Sequence, residues 1–209
     1  MRFRARSRQR RTLHIESGRS GFIRIPPAVS SVLLTIAFVF HVVSGALWTG
    51  ATLYVVYATL PRAIDGTLGR ETFVDAAHRL LMITRWTGVV LPVTGAYMIW
   101  VLYRPMALLT STPRGWIVLA MLSLWGVMNG VIELGVLRMR REVDPEIGWG
   151  EYMAEGFPIE ALDGSDAGTE APPSVGRLAA VGRPYLLASG GLAVLLLVDA
   201  ALLASGVSV

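Results

Sequence analysis

The sequence predicts an all-α membrane protein, a four-helix antiparallel transmembrane bundle, on three observations. Of its 209 residues, 53% are hydrophobic and only 16% are charged, a balance typical of membrane proteins. Four apolar runs are long enough to cross a bilayer core, which takes about 20 residues. These predicted spans cover residues 31–58, 81–102, 116–137 and 185–206. Two short connections and one longer connection join them, which favours antiparallel neighbours.

The composition excludes several classes of chemistry. The chain has no cysteine, and all 19 basic residues are arginine. Disulfides, thiolate metal sites and every mechanism that depends on lysine are therefore excluded. Arginines in the N-terminal arm and beside the apolar runs account for the net charge of +4. Arginines in such positions set topology and contact lipid headgroups, so the expected partner is the lipid bilayer and not a nucleic acid.

The segments outside the spans divide the chain further. Residues 1–30 form a basic arm that we expect to be disordered, and residues 31–209 form the transmembrane domain. Within that domain, the acidic loop 138–184 contains Gly and Pro residues that predict a surface excursion with little core of its own. A cluster of large apolar side chains is predicted to anchor this loop to the bundle end or the headgroup layer. The cluster consists of Trp149, Tyr152, Met153, Phe157 and Ile159, whereas residues 163–174 are expected to be mobile.

The arginines near the span ends are almost evenly divided between the two membrane faces. One face has the eight arginines of the arm together with Arg104 and Arg114. The other face has eight arginines, in the connection after the first span and in the acidic loop. Because basic residues concentrate on the cytoplasmic side, these totals slightly favour a topology with both termini inside.

Each predicted span contains one ionisable side chain that needs a partner or a role, because charge is costly in hydrocarbon. These side chains are His41, Arg85, Glu133 and Asp199 in chain order. At a rise of ~1.5 Å per residue, His41 lies ~15 Å and Asp199 ~10 Å from one membrane face. Arg85 and Glu133 each lie ~6 Å from the opposite face. The depths therefore predict two pairs, His41 with Asp199 and Arg85 with Glu133.

Both pairs have a functional and a structural interpretation. Arg85 and Glu133 either form a structural ion pair or extend toward water at the interface. Asp199 either orients the His41 imidazole for a function, as carboxylates do for metal-bound histidine, or ties the first and fourth helices together. Asn129 completes the predicted intramembrane polar network, one turn before Glu133 on the same helix face.

Periodicity adds information about which faces are buried. His41, Ser44, Gly45 and Trp48 recur at i, i+3, i+4 and i+7, so they share one face of a helix. A polar stripe of this kind faces protein or a wet cavity and not lipid. The glycine pairs 126/130 and 88/95 predict close contacts between helices.

The candidate metal or cofactor residues are His41, His78 and Met82. Imidazole and thioether groups suit copper(I), although methionine is also a common filler of packed cores. One ion shared by both histidines needs a bent helix or a shifted register, because antiparallel packing places His78 far from His41. The chain has no phosphate-binding glycine loop, HExxH motif or nucleophile elbow, so we predict no catalytic residues and no enzyme activity.

The apolar runs also resemble a known family. The stretch "FHVVSGALWTGATLYVVYATLP" resembles the first helix of the copper resistance protein D family, in which a histidine precedes a W-x-G pair. The stretch "RWTGVVLPVTGAYM" resembles the second helix, while "GWIVLAMLSLWGVMNGVIELGVLR" and "LLVDAALLASG" are similar to later helices of small four-span archaeal relatives. The resemblance implies copper handling at the membrane, and His41 is the position that it carries over.

The first helix is also similar to that of the four-helix membrane protoporphyrinogen oxidases. That family relies on an intramembrane lysine, which this chain lacks, so its activity is not expected here. The sequence as a whole predicts a multi-pass protein of the cell membrane for copper-linked or small-solute transport, with His41 inside the bundle. The alternatives are a redox protein associated with haem b or quinone, and a structural subunit of a homo-oligomer or membrane complex without its own chemistry.

Overall fold

A computed structural model describes residues 27–162 and 173–206, with side chains from residue 31 onward, and these residues form helices and no strand. The elements are α1 (Pro27–Tyr54), a π-helical turn (Val55–Thr59), α2 (Leu60–Ile64), α3 (Arg70–Leu102), α4 (Leu108–Ser111), α5 (Pro113–Val143), α6 (Trp149–Glu155) and α7 (Val175–Ser205). Three helical stretches are long and apolar enough to cross a membrane: Ser31–Ile64, Pro113–Val143 and Val175–Ser205. The described chain is thus all-α and of membrane type.

All four predicted spans are helical apart from the final residue Gly206, with residues 55–58 in the π-helical turn, and the helices extend beyond the spans. Residues 61–80, expected to connect the first two spans and to begin the second helix from Arg70, do so: the chain turns within residues 65–69, where Gly66 has a φ of 70°, and α3 begins at Arg70. The fourth helix begins ten residues before its predicted span. Ser174 starts it by accepting a hydrogen bond from the Arg177 backbone N–H at 3.3 Å, which satisfies one of the free donors of the first turn.

The four long helices pack as a closed ring of antiparallel neighbours. Helix α1 contacts α3 and α7, and α5 contacts the same two helices. Along α1, His41 meets Thr94 and Trp48 meets Thr84, so α1 and α3 run in opposite directions. The π-helical turn places Val56 against Gly190 of α7, where a Cβ would lie 3.1 Å from a Val56 methyl carbon.

The core is concentrated at one end of the ring. Large side chains are fully buried where the end of α1 and α2, the start of α3, the end of α5 and the start of α7 meet; they include Leu60, Phe73, Leu80, Ile132 and Leu178. The outer faces expose apolar side chains such as Phe38, Phe40 and Val42. An apolar outer surface of this kind is suited to hydrocarbon and not to water.

Glycine marks close contacts at some predicted positions and not at others. A Cβ on Gly88 would lie 3.2 Å from Asn129 Oδ1, and a Cβ on Gly95 would lie 3.4 Å from His41 Cε1. Gly126 and Gly130 are exposed, and a Cβ on either one would have nothing within 4 Å. The prediction of close contacts is therefore correct for the pair on α3 and wrong for the pair on α5.

Gly135 is where α5 and α7 approach closely, and it provides a test of the packing. We expect Gly135→Ala to lower the free energy of unfolding by about 1–3 kcal/mol, because overpacking strains a tight core. The new methyl would lie 2.6 Å from Tyr185 Cβ. Gly130→Ala on the same helix is the matched control, and it should be neutral or stabilising by up to about 1 kcal/mol. Equal effects of the two variants in an unfolding titration in detergent would contradict this packing.

Candidate functional site

Arg85 and Glu133 form the ion pair that their depths predict. Arg85 Nε donates to Glu133 Oε1 at 2.9 Å, and Nη2 donates to Oε2 at 3.3 Å. Each side chain is only 19% exposed. Two parallel bonds between a guanidinium and a carboxylate form the strongest geometry for such a pair. The interpretation as a structural ion pair is therefore confirmed.

Helix α6 packs directly against this ion pair. Arg85 donates to the backbone carbonyls of Tyr152 at 3.2 Å and Met153 at 2.9 Å. The Tyr152 hydroxyl donates to the backbone carbonyl and to Oε2 of Glu133, each at 3.0 Å. Burial raises the pKa of Tyr152, and the Glu133 charge raises it further, so the phenol stays protonated and remains a donor. The loop is thus held to α3 and α5 by polar bonds as well as by packing.

The predicted anchor cluster divides into two parts. Tyr152 and Phe157 are fully buried against the bundle, which confirms that the loop is anchored there. Trp149, Met153 and Ile159 are exposed. Ile147 and Leu162 are also buried and belong to the same apolar cluster as the bundle helices, so residues 144–162 pack on the bundle and have little core of their own, as predicted. Most of the segment expected to be mobile, residues 163–172, lies outside the described part of the chain.

His41 lies on α1 and is bound to α3. Its Nδ1 is 2.9 Å from Thr94 Oγ1. The Thr94 hydroxyl itself donates to the backbone carbonyl of Val90 at 2.7 Å, so its single proton is already used. When the Thr94 hydroxyl donates to Val90, Thr94 Oγ1 is an acceptor toward the ring and matches the imidazole tautomer with the proton on Nδ1. In that neutral tautomer the lone pair is on Nε2.

The rest of the polar stripe on α1 also faces α3. Ser44 and Trp48 are buried, and Trp48 Nε1 donates to Thr84 Oγ1 at 3.0 Å. The His41 ring lies against Gly95, with Cε1 3.4 Å from the position that a Cβ would take. The stripe therefore faces protein, as the sequence predicts, and it forms the seam between α1 and α3.

The predicted pairing of His41 with Asp199 is wrong. In the described ranges no hydrogen bond or ion pair joins them, and the buried Asp199 Oδ2 has no hydrogen-bond partner. His41 lies on the face of α1 that meets α3, whereas Asp199 lies on α7, which packs against α1 and α5. The His41 imidazole is therefore bonded to α3 and not to the carboxylate.

The other metal candidates are grouped at the end of the bundle where α6 lies. A Cβ on Gly156 would lie 3.3 Å from His78 Nδ1 and 3.1 Å from Met82 Cε. His41 instead meets Thr94, twelve residues along α3 from Met82, a separation of ~18 Å at the helical rise. The three candidates therefore do not surround one ion. Among the described residues, no group of three or more His, Asp or Glu side chains is placed to hold a metal.

Asn129 does not extend the ion pair into a network. Its Nδ2 donates to the Trp125 backbone carbonyl at 3.0 Å, and its Oδ1 lies against Gly88. The predicted network is thus four separate groups: the ion pair with Tyr152, the His41–Thr94 bond, Asn129 with its bond to Trp125, and Asp199. Sequence reasoning misses the roles of Thr84 and Thr94: the two threonines lie ten residues apart, about 80° apart around a helix of 3.6 residues per turn, so periodicity does not mark them as one stripe.

Comparisons with known protein families, with curated proteins and with solved structures found no match for this chain. The resemblance to the copper resistance protein D family therefore depends on the sequence stretches quoted above and on the position of His41.

Proposed function

We propose that the chain is a multi-pass protein of the cell membrane, in the manner of the copper resistance protein D family. All four long helices cross the bilayer, and copper(I) or another small solute passes His41 in the bundle interior as cargo. The observation that carries this proposal is the His41–Thr94 bond, which leaves Nε2 with a free lone pair at ~15 Å depth in the first span.

The directions of the helices support a fourth crossing, by α3. Helix α3 is antiparallel both to α1 and to α5. His41–Thr94 with Trp48–Thr84 gives the first direction, and Arg85–Glu133 with the approach of Gly88 to Asn129 gives the second. Helices α1 and α5 therefore run the same way, and both are apolar enough to span. A chain that crosses twice in one direction must return between the two crossings, and α3 is the helix that joins them.

This topology is directly testable, because the chain has no cysteine and each introduced one is unique. We expect Asp65→Cys, in the turn before α3, and Ser111→Cys, at the end of the short helix α4 after it, to react with an impermeant maleimide from opposite sides of sealed vesicles. A third variant, Asp144→Cys, just after the end of α5, should react from the same side as Asp65→Cys. Labelling of positions 65 and 111 from one side would contradict a crossing by α3.

The chemistry of His41 favours a transported ligand over a resident ion. Imidazole nitrogen is a ligand for copper(I), and an acceptor that fixes the other ring nitrogen orients such a ligand. One imidazole alone binds less firmly than the closed ligand sets of structural sites. Transport requires binding that is strong enough for entry and weak enough for release.

The test is a titration of the purified protein with copper(I) in competition with a chromophoric chelator. We expect His41→Gln to weaken binding by at least about tenfold, the size of effect expected when a metal ligand or its support is lost. His78→Gln, at the other end of the bundle, is the matched control and should leave affinity unchanged. Loss of binding in His78→Gln alone would move the site to α6, and no binding by the natural chain would contradict copper as the cargo.

Haem b is the second candidate ligand, because the same Nε2 lone pair suits haem iron. An absorption spectrum of the purified protein separates this alternative from transport. A haem band that is lost in His41→Gln would favour a redox protein.

A further inference from the structure

A cleft of about 350 Å³ lies at the bundle end where α5 terminates, remote from His41. Its lining includes Arg140, Asp144, Glu155 and Glu160. Its volume is at the lower end of the range for small-molecule sites. None of the groups discussed above as a candidate ligand lines it, so it is independent of the proposed transport function.

Arg140 in this cleft is a buried cation with too few partners. The residue is only 6% exposed, yet its Nε has no hydrogen-bond partner. Its ion pair with Asp144 joins Nη2 to Oδ2 at 3.5 Å, a long distance for such a pair. A guanidinium has five N–H donors, and burying a charge without compensation is costly. Because this under-paired guanidinium lines the cleft, it is placed to receive an anionic oxygen group.

The remaining charges of the cleft restrict what that ligand is. Glu155 and Glu160 are exposed carboxylates on its lining, and Asp144 adds a third negative charge. A simple anion would be repelled by these carboxylates, and a simple cation would leave the buried Arg140 Nε without an acceptor. A molecule with an oxyanion at one end and an ammonium group at the other satisfies both sets of charges.

We propose that this cleft binds a zwitterion, with a phosphate or carboxylate group on Arg140 and an ammonium group on Glu155 and Glu160. Two sources have this chemistry: a free zwitterionic solute and the headgroup of an ethanolamine phospholipid. The position of the cleft beyond the predicted end of the third span, at residue 137, is within reach of either one.

The experiment is calorimetric titration of the delipidated full chain in detergent with O-phosphoethanolamine, inorganic phosphate and ethanolamine as separate probes. We expect O-phosphoethanolamine to bind at least about tenfold more tightly than either single-charge probe, the gain expected from one further charged hydrogen bond. Phosphate binding as tightly as O-phosphoethanolamine would overturn the zwitterion assignment.

Variants of the lining and a lipid arm complete the test. Arg140→Gln should weaken binding at least about tenfold, while Arg141→Gln, an exposed neighbour on the same helix, should not change it. If Arg140→Gln does not fold, Glu160→Gln at the exposed rim replaces it, and it should weaken the zwitterion and strengthen phosphate. Native mass spectrometry with ethanolamine and glycerol phospholipids assigns the source: selective retention of the ethanolamine lipid supports the proposal. Equal loss of binding in Arg141→Gln, or no binding of any probe or lipid, would overturn it.

Discussion

Replacing Glu133 with leucine is expected to lower the free energy of unfolding by about 3 kcal/mol, among the largest effects of any single substitution in this chain. The change leaves the Arg85 guanidinium and the Tyr152 hydroxyl without their shared acceptor, although both remain largely buried. The loss of a partner is costly because the remaining charge stays out of water. Unfolding by denaturant in detergent micelles, followed by tryptophan fluorescence, measures this effect.

Glu142→Leu is the matched control on the same helix. Its carboxylate pairs with Arg177 at 2.7 Å, but that arginine is 69% exposed, so we expect a loss below about 1 kcal/mol. A double variant, Arg85→Leu with Glu133→Leu, should lose less than the sum of the two single variants, because no charge remains unpaired. Additive losses would show that the two side chains are not coupled.

Replacing Thr94 with valine is expected to weaken binding at His41 by about 10–100-fold, the effect typical of losing a group that orients a metal ligand. Valine has the same shape but cannot accept the Nδ1 proton. The imidazole then loses both its fixed tautomer and its fixed rotation. The copper(I) competition titration measures this affinity. If haem is the ligand, the affinity is measured from the haem absorption spectrum during a haem titration.

Thr87→Val is the matched control for Thr94→Val. Thr87 is also on α3 and also donates its hydroxyl to the backbone one turn earlier, to Ile83 at 2.8 Å, but it has no hydrogen bond to His41. Its replacement should leave the affinity unchanged. If both variants weaken binding equally, the effect comes from the helix and not from the orientation of His41.

The helical rise per residue predicts how far along the bundle axis a side chain lies better than it predicts which neighbouring helix that side chain contacts. The rise per residue correctly matches Arg85 with Glu133, because their helices are neighbours and both side chains face the shared seam. The same arithmetic wrongly pairs His41 with Asp199. Depth fixes how far a residue lies along the axis, but only packing decides which neighbour its face meets.

The acidic loop 138–184 shows a second limit of prediction from sequence, which is the use of average composition. Averaged over 138–184, the composition is acidic and contains Gly and Pro, which predicts a chain without a core. Tyr152 orders a segment without a core of its own, since its ring is buried against the bundle and its hydroxyl donates to Glu133 on α5. A single amphipathic side chain that has a hydrogen-bond partner on another helix is enough to hold a short helix against the bundle. The sequence identifies the tyrosine as an anchor, but it does not identify the hydrogen-bond partner, because that partner lies on another helix.

The most direct test of the central claim is copper(I) uptake by sealed vesicles that contain the full chain, measured by mass spectrometry of the metal. The account predicts uptake above that of protein-free vesicles, retained in His78→Gln and lost in His41→Gln. Uptake that is unchanged in His41→Gln, or no uptake by the natural protein, would contradict His41 as the site of a copper cargo.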